Sequence, residues 1–350
     1  MEILVLGGTG AIGEPLVESL SKENMVYVTT RSKKENKKNI EYLQGNAKED
    51  DFLQSVLKKK YDAIIDFMVY STKELKSRLP SLLNHTKQYF FFSSSRCYAD
   101  SNTPIKESFP RLVDVCTDQE YIALDEYGMA KGREENLLRE TGKKNWTIIR
   151  PYITYNAYRI QLGVYEKENW LKRALEGKTI IFPKDIASRK TSLTYGPDVA
   201  GAVEKLIGNP NALGEAFHIT TSECHTWGEI LEFYCSEIAR ITGSYPKVKL
   251  IANSESLQNV WNKWQIKYDR LYNREFDNSK IESVRGKYQY RSTFEGLSRC
   301  LEEFISNPKW LGVNVVYEAW CDKQSGEWTS LKEFSGIRNK LQYLKHRCLN

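Results

Sequence analysis

Short apolar runs punctuate the first half of the chain, at residues 2–6, 25–30, 40–43, 61–67, 88–92 and 146–150. Runs this short and this apolar predict strands buried on both faces. Between them, residues 14–21, 49–60, 71–84 and 121–140 mix apolar and polar side chains over helix-length stretches. Strand and helix alternating at this spacing predict βαβ units, and so a parallel, doubly wound α/β sheet. After Arg150 the rhythm loosens. Further strands are expected at 179–182, 193–195 and 216–220, with helices at 167–176, 197–207 and 226–241. A second, smaller, mixed domain is the natural reading. The expected division gives residues 1–165 and 193–222 to the sheet domain and 166–192 and 223–304 to the smaller one. Residues 305–350 form a C-terminal extension. Trp310, Trp320 and Trp328 make that extension too aromatic for disorder, so it is expected to pack on the smaller domain or to form a contact between subunits, as in a homodimer.

Composition narrows the class. A length of 350 residues accommodates two domains. No apolar run approaches the ~20 residues of a membrane-spanning helix. The first strand begins at residue 2, which leaves no room for a signal peptide, so a cytoplasmic protein is expected. Seven cysteines are odd in number and scattered without a Cys-x-x-Cys pair, as reduced thiols are. No disulfide framework or metal site is expected from them. A net charge of +6 is modest for this size and does not argue for nucleic acid.

The first strand runs into Gly7-Gly8-Thr9-Gly10-Ala11-Ile12-Gly13. Gly7 suits the tight turn, Gly10 lets backbone approach a phosphate, and Gly13 allows close helix–strand packing. The helix that follows turns its N-terminal N–H groups and its dipole towards a pyrophosphate. A glycine turn alone could serve only the fold. Its place directly after an N-terminal strand favours a Rossmann-type dinucleotide site.

A second motif carries chemistry. Tyr127 and Lys131, in Tyr127-Gly128-Met129-Ala130-Lys131, are i and i+4 and share one helix face. A free tyrosine titrates near 10, so a base working near neutrality needs a neighbouring cation that favours phenolate. An ammonium four residues on supplies one, and an oxidised nicotinamide ring would supply another.

These pieces, with Gly45-Asn46-Ala47, Asp66-Phe67-Met68, Ser93-Ser94-Ser95-Arg96-Cys97-Tyr98, Arg150-Pro151-Tyr152 and Asp198-Val199-Ala200, occur in an order that resembles the extended short-chain dehydrogenases/reductases. The branch is that of nucleotide-sugar epimerases, reductases and dehydratases, and the resemblance spans residues 1 to about 305. It implies a catalytic set of Ser94, Tyr127 and Lys131, with Ser95 the runner-up for the serine. It also implies cofactor contacts from Gly7, Thr9, Gly10, Ala11, Ile12, Gly13, Asn46, Ala47, Phe67, Met68, Val69, Lys131, Pro151 and Tyr152. Sugar 4,6-dehydratases carry an acidic pair just after the serine, where this chain has Ser95 and Arg96. That departure argues against dehydration.

Cofactor choice turns on the end of the second strand, where Arg31, Lys33 and Lys34 stand and no acid precedes Glu35. An arginine there accommodates a 2′-phosphate, so the expectation leans to NADP over NAD, with Arg31 as the reader. On the substrate side Ser95, Tyr98 and Arg189 are candidates; the family's usual diphosphate clamp position holds Thr191, with Arg189 and Lys190 nearby. Tyr155, Tyr158, Arg159, Trp170 and Arg173 are further pocket candidates. The expected substrate is a sugar or nucleotide sugar, turned over by epimerisation or by NADPH-dependent reduction. A redox-inert member of the fold that senses cofactor, or binds RNA or protein, is the contrasting reading. The intact Ser94/Tyr127/Lys131 set separates the two.

Overall fold

The computed structural model describes residues 1–349. Seven parallel strands form the central sheet: β1 Glu2–Leu6, β2 Met25–Thr30, β3 Ile40–Gln44, β4 Tyr61–Asp66, β5 Thr86–Phe92, β6 Trp146–Pro151 and β7 Glu215–Ile219. Their spatial order is β7-β6-β5-β4-β1-β2-β3. The winding therefore reverses between β1 and β4, and a doubly wound sheet opens a crevice at the carboxyl ends of the strands at such a point.

Alternation along β1 shows why helices cover both faces. Ile3 and Val5 enter one core with Leu16, Val17 and Leu20 of helix α1 (Gly13–Leu20). Leu4 and Leu6 enter the other, with Leu53 of α2 (Asp50–Val56) and Leu75, Leu79 and Leu82 of α3 (Thr72–Asn84). Leu138 of α4 (Tyr127–Glu140) joins this second face. Every side chain of β1 after Glu2 is fully buried, as its unbroken apolar run predicts.

A third apolar cluster lies beyond the sheet, built on α5 (Lys167–Leu175), α6 (Trp227–Thr242), α7 (Thr293–Ser306) and α8 (Val315–Ser325). Residues 180–183 and 248–251 pair in parallel at its edge. Tyr317, Trp320 and Cys321 of α8 are part of it, so the C-terminal segment packs against this cluster. A buried polar knot fastens it there: Arg173 donates to Glu318 and Asp322 at 2.6 and 2.9 Å. Among the described residues no helix is long and apolar enough to cross a membrane. All seven cysteines are free thiols.

One boundary departs from expectation and matters for the site. The stretch 121–140 is not one helix. A short turn at Gln119–Ile122 ends, Glu126 takes up extended backbone, and its carboxylate accepts the Gly128 N–H at 2.9 Å. This N-cap makes Tyr127 the first residue of α4.

Candidate active site

The glycine turn builds a cradle. Gly7 sits at φ +74°, a conformation that favours glycine, and a Cβ on Gly13 would lie 2.7 Å from the Gly8 carbonyl carbon. A Cβ on Gly10 would meet nothing within 4 Å. The chain thus leaves open space over Gly10 while the turn and the helix contact beside it are tight.

Two clefts extend along the carboxyl edge of the sheet and share Met68. The first, of 580 Å³, is lined by Gly7, Thr9, Arg31, Lys34, Asn46 and Ala47 among others. The second, of 390 Å³, brings together Ile12, Phe67, Val69, Ser94, Tyr127, Lys131, Pro151 and Tyr152. Residues spread over 140 positions of sequence converge because β1, β4, β5 and β6 all end at this edge. Gly10, Ala11 and Gly13 line neither cleft; the Ala11 carbonyl instead packs against Gly196, where a Cβ would lie only 2.2 Å away.

The three consecutive serines are separated by their partners. Ser93 donates to Glu135 at 2.7 Å, and Ser95 donates to the Arg150 carbonyl at 2.9 Å. Ser94 only accepts from the Arg96 N–H, and it faces the cleft beside Tyr127. Geometry therefore leaves Ser94, and not Ser95, in reach of a bound molecule.

Lys131 is fully buried, with its Nζ 5.8 Å from the Tyr127 ring centre and 4.6 Å from that of Phe91. Its ammonium lies 2.9 Å from the buried Glu134 carboxylate, yet none of these polar atoms is aligned for a hydrogen bond. Glu135, the next residue, is anchored differently. It accepts from Arg150 at 2.6 and 2.7 Å and pairs with Arg111 and Arg139. Arg150 beside it holds the Glu135 carboxyl down at about 2 despite full burial. This carboxylate ties α4 to β5 and β6, and so fixes the helix that carries Tyr127.

The second cleft is cationic. Arg96, Lys131, Arg159 and Arg270 line it and no carboxylate does. Arg96 lies over the Tyr127 ring at 5.1 Å and pairs with Glu126 at 2.8 Å. Arg270 donates to the Gly163 carbonyl and pairs with Asp269. Ser93, Thr154, Gln161 and Gln265 add uncharged polar groups to the lining.

Several expected substrate residues lie elsewhere. Ser95 is fully buried on the Arg150 carbonyl, and Tyr98 is a core residue whose hydroxyl accepts from Arg150 at 2.7 Å. Arg189 is outside the lining of the cleft, in the turn after residues 184–187, where its carbonyl accepts the Trp227 N–H. Tyr155, Trp170 and Arg173 are packed into the third cluster and its polar knot, and Tyr158 lies on the surface beneath the Lys309 ammonium. Of that group only Arg159 lines the cleft. Arg270 and Gln265 were not foreseen, since more than a hundred residues separate them from the motifs they join. Glu134 was foreseeable: it is i+7 from Tyr127 and i+3 from Lys131 on the same helix face.

Residues 3–220 match the NAD dependent epimerase/dehydratase family. The chain belongs to this family. No curated protein matches it in sequence. Among solved structures, UDP-glucuronic acid 4-epimerase from Bacillus cereus, in complex with UDP-glucuronic acid and NAD, is similar at TM-score 0.67 and 17% identity, covering 88% of this chain and 100% of that one. The dTDP-glucose 4,6-dehydratase from Bacillus anthracis, in complex with NAD, gives 0.65 and 17%, covering 89% and 98%. The epimerase Mth375 from Methanothermobacter thermautotrophicus gives 0.65 and 16%, covering 87% and 92%. At these identities the likeness is one of fold. Family membership and fold together make the chain a short-chain dehydrogenase/reductase-type, NAD-dependent enzyme.

The residues present fit such a cofactor. The space over Gly10, at the N-terminus of α1, is open where a pyrophosphate would lie, and the buried Lys131 Nζ has no aligned hydrogen bond among the described residues.

Proposed function

We propose that the protein oxidises or reduces a carbinol or ketone of a sugar or nucleotide sugar, with Tyr127 as acid and base, and that it serves as an epimerase. The observation that carries this reading is the convergence of Ser94, Tyr127 and Lys131 in one cleft that adjoins the glycine cradle. When bound, the nicotinamide supplies the hydride acceptor and donor. The chain's own residues do the rest. Gly7, Thr9, Asn46 and Ala47 would hold the adenosine end, and Phe67, Met68, Val69, Pro151 and Tyr152 the nicotinamide end. Ser94 Oγ orients the reacting oxygen by a hydrogen bond. The Tyr127 hydroxyl gives its proton to that oxygen on reduction, and its phenolate takes one on oxidation. The Lys131 ammonium favours the phenolate electrostatically.

One observation favours a second reading, an NADPH-dependent reductase. Arg31 and Lys34 line the first cleft together with Lys48, and no carboxylate does. A 2′-phosphate finds cations there, whereas the carboxylate that usually takes a 2′-hydroxyl is missing. The lean to NADP rests on this.

Incubating the purified protein with a panel of nucleotide sugars, while following absorbance of reduced nicotinamide and the sugar products, tests both. Epimerisation without net cofactor change supports the first reading. Stoichiometric oxidation of NADPH supports the second, and inertness toward every sugar and both cofactors overturns both.

A further inference from the structure

Tyr127, Lys131 and Glu134 follow one another at i, i+4 and i+7, in a row along the inward face of α4. The last two are fully buried, and no arginine reaches Glu134 as three reach Glu135. Among the described residues its only ion pair is with Lys131, at 2.9 Å. Lys131 Nζ and both Glu134 carboxylate oxygens lack aligned hydrogen bonds. A carboxylate buried without such bonds is costly, so its place beside the reacting pair calls for a reason.

Given the acid/base role proposed above for Tyr127, we propose that Glu134 is a positioning residue for the Tyr127–Lys131 pair: its carboxylate holds the Lys131 ammonium and offsets its charge, and so sets the pH range over which Tyr127 exchanges its proton. Two charges in contact inside the protein largely cancel for a third group further off. With Glu134 ionised, Tyr127 faces a nearly neutral pair. With Glu134 protonated, it faces a full positive charge, added in either state to that of Arg96, 5.1 Å from its ring centre.

The surroundings keep that choice open. Burial pushes the Glu134 carboxyl up to about 7, against the pull of Lys131. Asp66, at the end of β4, is pushed up to about 6 by its own burial, and it accepts from the Tyr89 and Tyr70 hydroxyls at 2.8 and 3.2 Å. Asp125, just before α4, adds a further negative charge toward Glu134. Arg78 lies behind Tyr70. Burial thus raises both carboxyls toward neutrality, and of the two it is Glu134 that pairs directly with Lys131.

The test compares Glu134→Gln, a permanently uncharged isostere, with wild type. The acid limb of its kcat/KM profile should move to lower pH, on the order of half a pH unit, as Tyr127 feels the uncompensated ammonium. Glu134→Asp, whose carboxylate retreats by one methylene, should show a smaller movement the same way. An independent readout needs no turnover. Ultraviolet titration of tyrosinate, taken as the difference between each protein and its Tyr127→Phe counterpart, should show the same displacement. If Glu134→Gln does not fold, Glu134→Asp carries the test. Superposable profiles and titrations in folded variants, with Tyr127→Phe inactive, would overturn the role of Glu134 alone. A Tyr127→Phe protein that still turns over would overturn the acid/base reading itself.

Discussion

At the scale of single residues, the site depends on where side chains are absent as much as on where they are present. Because a Cβ at Gly10 meets nothing, Gly10→Val should fold normally and fill the very space a pyrophosphate needs. Calorimetry should find dinucleotide binding lost with the melting temperature nearly unchanged. Unaltered affinity would make the turn purely structural. Arg31 lines the first cleft with Lys34 near it. Arg31→Ala should weaken NADP(H) about ten- to a hundred-fold, the worth of one charged hydrogen bond, and leave NAD(H) almost untouched. Equal losses for both would deny it the 2′-phosphate. Residues of this kind can be nominated from the sequence because their motifs are local: a turn, a helix step, a strand end. Arg189 and Tyr98 were misjudged because sequence proximity to a motif does not reveal which way a side chain faces. Tyr98 is bound into the core by Arg150, and Arg189 sits in a turn outside the cleft.

At the scale of elements, α4 is the part on which the chemistry hangs, and Glu135 is what holds it. Three arginines and Ser93 converge on that one carboxylate. Glu135→Gln should cost about 3–5 kcal/mol, as expected when a buried pair loses one partner. The sign with pH follows from a folded value of about 2, below the usual range for a glutamate. The stability Glu135 contributes is fully present above its unfolded value, near 4.3, and is lost as pH falls toward 2. Urea denaturation should therefore show the gap between wild type and variant narrowing through that acid window; a gap that stays constant would refute the ion-pair explanation. The alternation of strands and helices was readable from hydrophobic runs alone, and β1 and β2 match their predicted spans. The start of α4 was not. Nothing in the apolar pattern separates 121–126 from 127–140; the division is made by one side-chain cap, Glu126 on the Gly128 N–H.

At the scale of the whole molecule, the second cleft is assembled from both parts of the chain. The end of β5 supplies Ser94 and helix α4 supplies Tyr127 and Lys131, while residues 159–161 and 265–270 close over them with Arg159, Gln161, Gln265 and Arg270. This second wall was illegible in the sequence, since its residues carry no motif and reach the site only through packing of the third cluster. The C-terminal segment bears on the same wall at one remove, through α8 and its Arg173 knot. The proposed chemistry nonetheless turns on one hydroxyl. Tyr127→Phe keeps the ring and removes only the proton-transfer group, so dinucleotide affinity measured by calorimetry should stay within a few-fold of wild type. Turnover of the sugar identified by the substrate panel should fall about 10²–10⁴-fold, equivalent to about 3–5 kcal/mol of barrier. Intact binding with that loss is the expected result; a Tyr127→Phe enzyme that binds cofactor and turns over at a rate comparable to wild type would rule out Tyr127 as the acid and base.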